Sequence, residues 1–229
     1  MKWGVVTFPG SLDDRDMLYA LRDVMEQDAQ PLWHKDRDLR NVDCVVLPGG
    51  FSYGDYLRCG AMARFSPIME SVVNFARRGG LVLGVCNGFQ ILCEAHLLPG
   101  ALTRNRSLAF ICERLTVRVE NVNTPFTCAA QNGELLRLPI KHGEGLYVAP
   151  RDELRRMEDR GQVLVRYVNQ HGEPSDDANP NGSMNSIAGV ANDRFNVFGL
   201  MPHPEHAVEP MLGGDGGLRI FRSIVQSLA

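Results

Sequence analysis

Residues 81–90 read LVLGVCNGFQ: a short apolar run breaks at Gly84, reaches Cys86 and Gly88, and then takes up helical spacing. An uninterrupted apolar run of this length reads as a strand buried on both faces, which belongs in a parallel sheet covered by helices. Glycine two residues before and two after a cysteine marks a strand-to-helix corner where backbone segments approach closely. Such a corner is the nucleophile elbow, which presents a side chain at the carboxyl edge of a sheet with a helix amino terminus aimed at it. A buried structural cysteine in a glycine turn fits the same residues, so the rest of the chain has to decide.

Working outward, the same alternation recurs. Trp3–Phe8 and Cys44–Leu47 are further apolar runs, ended by PGS and PGG turns. Pro31–Trp33 reads as a shorter strand. Met17, Leu18, Leu21, Val24 and Met25 share one helical face, as do Ile68, Val72, Val73, Phe75 and Ala76. Leu115, Val117 and Val119 alternate in a more β-like region, 152–160 reads as a charged helix, and Val163–Val168 as a strand. The segment 171–183 is loop by composition. Phe195–Met201 is a last buried strand, and Leu218, Phe221, Ile224, Val225 and Leu228 form the face of a closing helix. The expected fold is an α/β sandwich of flavodoxin-like type, with a largely parallel central sheet and helices on both faces, in a single domain spanning 1–229. Sites in such sheets form beyond the carboxyl ends of strands. Three unusual loops fall there: PGG after Cys44–Leu47, GVCNG, and MPHPEH after Phe195–Met201.

Composition removes several alternatives. The 229 residues are 44% hydrophobic with a formal net charge of −3 and scattered arginines, which gives no reason to expect a nucleic-acid partner. No apolar stretch reaches membrane-spanning length. The opening MKWGVVTF is too short for the apolar region of a signal peptide. Six cysteines without a CxxC pair read as reduced thiols, and a cytoplasmic location is expected.

A cysteine nucleophile needs a histidine to take its proton and an acceptor to orient that histidine. His203 in MPHPEH has Glu205 two residues on. In an extended segment held by Pro202 and Pro204, Glu205 points the same way as His203 and reaches its imidazole. No metal is expected: His203 and His206 lie three apart, the prolines forbid a helix, and helical zinc motifs use a spacing of four. PGGFSYGDYLRCG (48–60) is neither GxGxxG nor a phosphate loop. Its Gly49-Gly50 pair instead offers backbone N–H groups that, with that of Asn87, suit an oxyanion hole. GGDGG (213–217) reads as a flexible connection to the last helix.

The elbow GVCNGFQ, the upstream PGG and the downstream HPE together resemble the class I glutamine amidotransferases. The resemblance implies the flavodoxin-like α/β fold, with Cys86 as nucleophile, His203 as base and then acid, and Glu205 as its orienter. Gln90 would help hold glutamine, with backbone at Gly49, Gly50, Asn87, His142 and Gly143 lining the substrate. WGVVTFPGS, PGGFSYGDYLRCGAMA, PIKHGEG, NPNGSMNSIAGV and GLMPHPE extend the resemblance over nearly the whole chain, to the purine-biosynthetic branch of that family. Its small separate glutaminases supply ammonia to a large ATP-using synthase subunit, with a small third protein bridging the two. The resemblance thus implies no cofactor in this chain, with ATP and Mg on the synthase subunit. Two departures stand out: Leu12 replaces the asparagine usual after PGS, and the approach to NPNGS (169–183) is longer than usual. A DJ-1-like hydrolase or peptidase would place its histidine close behind the cysteine, where Asn87 stands. A non-catalytic flavodoxin-like module would need none of Cys86, His203 and Glu205 together.

Overall fold

The computed structural model describes residues 1–228. Its strands are β1 (Lys2–Thr7), β2 (Asp28–Trp33), β3 (Cys44–Leu47), β4 (Leu81–Val85), β5 (Ala101–Thr103), β6 (Ile111–Val119), β7 (Leu135–His142), β8 (Leu146–Val148), β9 (Val163–Val168), β10 (Ile187–Ala191) and β11 (Val197–Leu200). Nine form one sheet in the order β2-β1-β3-β4-β11-β10-β9-β6-β7, while β5 and β8 pair apart. From β2 to β11 every pairing is parallel. From β11 to β7 every pairing is antiparallel.

The parallel half matches the buried apolar runs, and its strands β3, β4 and β11 lie side by side. The PGG, GVCNG and MPHPEH loops therefore leave one edge of the sheet next to one another. The antiparallel extension is the main difference from the expected sheet. β7 and β10 lie in segments whose sequence lacks a clean alternation, because Pro139 interrupts the first and the second is buried throughout. Both outer strands carry a proline, Pro31 in β2 and Pro139 in β7. Edge strands accept a residue with no N–H to donate, and a proline there discourages pairing with another chain.

Helices cover both faces: α1 (Asp14–Tyr19, continued by a π turn at Ala20–Val24), α2 (Pro67–Arg77), α3 (Asn87–Glu94), α4 (Arg151–Asp159) and α5 (Leu218–Ser227). Trp3, Val5, Leu83 and Phe198 share one sheet face by register, where Trp3 meets Phe221 of α5 and Phe198 meets Phe126. On the opposite face Gly84 and Gly199 are paired neighbours beneath α3. A β-carbon on Gly199 would lie 2.6 Å from Leu98 and collide with the Phe89 ring, so the glycines let α3 settle directly onto the strands. All of 87–93 is buried as a result, and the helix that follows the elbow is a core helix. No helix among the described residues is long and apolar enough to cross a membrane.

Candidate active site

Cys86 sits between β4 and α3 with φ 50° and ψ −104°, a conformation costly for a residue with a β-carbon. Its N–H is tied to the Leu200 carbonyl at 2.8 Å, which fixes the elbow to β11. A β-carbon on Gly84 would lie 2.7 Å from the Gly88 carbonyl oxygen, and one on Gly88 would run into the Leu47 carbonyl. The corner thus closes only with glycine at both positions. Within the cleft the Cys86 thiol lies 3.8 Å from the Lys141 carbonyl oxygen.

His203 is fully buried, its N–H bonded to the Pro139 carbonyl at 2.8 Å. Its Nδ1 is 2.6 Å from Glu205 Oε1, and Nε2 has no hydrogen-bond partner among the described residues. Burial alone would favour a neutral imidazole. The charge of Glu205, and then that of Cys86, outweigh it and raise the His203 pKa to about 10. His203 is therefore coupled to both the thiol and the carboxylate, each held by a different loop.

The route by which Glu205 reaches the imidazole differs from expectation. His203 is extended, but Pro204–His206 is a 3-10 turn with proline at its first position. The turn curls Glu205 back under the ring, and it also brings His206 beside His203, with ring centroids 5.4 Å apart. The spacing of three thus does not separate the two histidines, because a helix is not needed to bring them together. Asp13, His203, Glu205 and His206 present ligand-type atoms within 4.8 Å of one another, a set able to hold a divalent ion. The Lys141 ammonium already pairs with Asp13, and Nδ1 of His203 is engaged by Glu205.

Gly49 and Gly50 lie on the PGG loop beside the elbow. The Gly49 carbonyl accepts from the N–H groups of Leu12 and Asp13, at 3.3 and 3.2 Å. Gly50 has φ 142°, and its amide has no protein partner among the described residues. Asn87, the first residue of α3, accepts from Ser52 N–H at 3.1 Å and donates to Gln90 Oε1 at 2.9 Å. Gln90 in turn donates to the Glu144 carbonyl at 2.6 Å, joining α3 to the HGEG segment. Gly50, Cys86, Gln90, His142 and Gly143 line one cleft of about 250 Å³.

His142 lines that cleft while its imidazole is held by Asn105 at 3.1 Å. Burial, then the charge of His203, pushes its pKa down to about 4, so it is neutral. Asn105 also donates to the His142 carbonyl and accepts from Gly145 N–H. Asn181 and Ser183 bind the Gly145 carbonyl from the other side, at 3.0 and 3.2 Å. Asn181 of the NPNGS motif is thus a buried support of the HGEG wall, with Asn179 holding Ser183, and composition alone gives neither a role. Asp55, Glu144 and Arg104 at the cleft mouth were also missed, since single charged residues in loops carry no periodic signal. The GGDGG segment is likewise built in. Gly217 donates to the Ala207 carbonyl at 2.8 Å, and a β-carbon there would strike the Pro204 carbonyl, so it lets α5 abut the turn that holds Glu205.

Residues 1–213 match the family of CobB/CobQ-like glutamine amidotransferase domains. Phosphoribosylformylglycinamidine synthase subunit PurQ of Salinibacter ruber is 55% identical over 228 residues, covering 100% of this chain and 97% of its own. The chain belongs to the PurQ family. PurQ of Trichormus variabilis is 53% identical, with 100% of this chain and 98% of the relative covered. A chain in the structure of PurLQS from Thermotoga maritima is 44% identical, with a TM-score of 0.88 and coverage of 100% and 99%. Cys86, His203 and Glu205 all fall inside the span matched by the glutamine amidotransferase domain family.

Proposed function

We propose that the cleft at Cys86 hydrolyses the side-chain amide of glutamine and that the whole chain acts as one amidotransferase domain for this purpose. The chain is the glutaminase subunit of phosphoribosylformylglycinamidine synthase, an enzyme of purine biosynthesis. The observation that carries the mechanism is the convergence of two adjacent strand ends, those of β4 and β11, on one buried Cys86–His203–Glu205 line, with the cysteine at positive φ.

In the proposed sequence the Cys86 thiolate attacks the amide carbon, and the carbonyl oxygen becomes an oxyanion held by the N–H groups of Gly50 and Asn87. His203, protonated and steadied by Glu205, gives its proton to the departing nitrogen, and ammonia leaves. The γ-glutamyl thioester that remains is attacked by a water from which His203 takes a proton. Breakdown of this second tetrahedral species cleaves the C–S bond, releases glutamate and restores the Cys86 thiolate beside protonated His203. The cleft is smaller than the ~300–1,000 Å³ of drug-sized sites and suits a single amino acid. Asp55 and Glu144 give its mouth negative charge, suited to the α-ammonium group of glutamine, with Arg104 beside them for the carboxylate. Gln90 and the backbone at Gly49, His142 and Gly143 complete the glutamine pocket in this reading.

The ammonia is used on partner subunits of the same complex: a large synthase subunit that carries ATP and Mg and aminates formylglycinamide ribonucleotide to the amidine, with a small bridging subunit. A cytoplasmic location goes with this pathway and with six free cysteines. In the reconstituted complex, Cys86→Ala is expected to abolish glutamine-dependent synthesis and to spare synthesis from added ammonia. Equal loss of both would make Cys86 structural and overturn the reading.

A further inference from the structure

A second carboxylate lies against the catalytic histidine. Asp13 stands just ahead of α1, its side chain almost wholly buried, with Oδ2 3.6 Å from His203 Nδ1. Its Oδ1 pairs with the Lys141 ammonium from β7 and lies 3.2 Å from His206 Nε2. The Asp13 N–H binds the Gly49 carbonyl, so the same residue touches the oxyanion loop and the base. Gly49 leaves the space for this: a β-carbon there would lie 2.6 Å from His203 Cε1 and would collide with Asp13 Oδ2.

We propose that Asp13 is a positioning residue of the triad, a second carboxylate whose charge biases His203 toward the imidazolium form, with Lys141 and His206 setting how much of that charge His203 feels. The proposal rests on the assignment of His203 as the proton carrier. Two uncompensated carboxylates at Nδ1 would hold the proton too firmly for a group that must give it up and take it back. Lys141 and His206 draw Asp13 away from that extreme. The remaining titratable neighbours of the cluster are Glu205 and Cys86 against His203, neutral His142 on β7, and Asp16, 4.0 Å from His206. Burial would make Asp13 a weaker acid. The hydrogen bond from His206, the charge of His203 and the contacts of Lys141 overcome it and hold the carboxyl well below the usual carboxylate range. Asp13 is accordingly charged throughout the working pH range.

The sign of the effect follows. A negative charge near His203 stabilises its protonated form and delays loss of the thiolate–imidazolium pair as pH rises. Asp13→Asn removes that charge and leaves the Lys141 ammonium uncompensated near His203, so the alkaline limb of glutamine hydrolysis should move to lower pH. Lys141→Met does the opposite, freeing Asp13 to act on His203, and should move the limb to higher pH. One pKa unit corresponds to a tenfold change in the protonation equilibrium, and a displacement of about one unit is expected for each variant.

The test is the pH profile of glutamine hydrolysis by the assembled synthase complex for both variants, with ammonia-dependent synthesis confirming assembly and His203→Ala run alongside. Opposite displacements of the alkaline limb with little change in KM support the proposal. A limb that stays in place, or moves in the same direction in both variants, overturns it. Should Asp13→Asn fail to assemble, the direction of the Lys141→Met displacement decides alone. Full activity in His203→Ala would instead overturn the triad reading, whatever the Asp13 variant does.

Discussion

The two halves of the sheet build the same cleft by different means. The parallel half delivers Cys86, His203 and Glu205 from the ends of β4 and β11 through backbone geometry: a positive-φ elbow, glycines that admit close contact, and a proline-led turn. The antiparallel half delivers the facing wall, the HGEG segment after β7, and holds it with buried side-chain amides from Asn105 and Asn181. A wall that binds needs only the right shape and polarity, which a hydrogen-bond network can specify. A group that reacts needs a fixed angle and a neighbour, which strand ends specify better. Changes on the parallel side should therefore act on turnover, and changes on the antiparallel side on substrate affinity.

The largest effect should come from His203→Ala. General acid–base catalysis typically contributes about 10²–10⁴-fold, and kcat for glutamine hydrolysis should fall by that order with KM nearly unchanged. A variant that kept its kcat and lost affinity would break the division between the halves.

Next comes the partner. The Gly49–Gly50 peptide is held in one orientation by the Leu12 and Asp13 amides, and turning it breaks two bonds worth about 0.5–1.5 kcal/mol each. Docking of the synthase subunit with its substrates can supply that energy. An oxyanion donor is worth about 10²–10³ in turnover, so the isolated chain should be slower than the complex by that factor. Full-rate hydrolysis by the chain alone would show that the loop needs no partner.

Glu205→Gln should cost less than His203→Ala, because the amide oxygen still accepts the Nδ1 hydrogen bond while the charge is lost. Steady-state kinetics of the two variants in the complex give the order directly, and a reversed order would make Glu205 the proton carrier. The smallest effect should be that of Asn181→Ala on the other side. Leaving the buried Gly145 carbonyl short of a donor costs about 1–3 kcal/mol, and part of that should appear as a KM raised about tenfold with kcat preserved.

The difference between the halves also explains what could be read in advance. The elbow, the PGG turn and the HPE segment are local: each functional residue lies within a few positions of the strand end that places it. Their meeting follows from parallel order, which the buried apolar runs announce. Asp13, Lys141, Asn105 and Asn181 meet only through contacts between distant segments, and no spacing in the sequence reports them. The approach of His206 to His203 escapes the sequence for a related reason: the prolines exclude an α-helix, an extended chain would part the two rings, and the chain instead takes a 3-10 turn. β7 was hidden by its proline, which an edge position tolerates.

The central claim is that one thiol of six is chemically set apart by its place at the elbow. Burial pushes the Cys44 and Cys93 thiols up. Burial also raises Cys59, helped by Asp55 and Glu144, while Cys112 and Cys128 are exposed and lie outside the elbow. Treating the synthase complex with an electrophilic glutamine analogue and mapping the modified peptides tests this most directly. The expected result is stoichiometric labelling of Cys86 that excess glutamine prevents and His203→Ala slows. Labelling of Cys59 or Cys93 with Cys86 untouched would contradict the account.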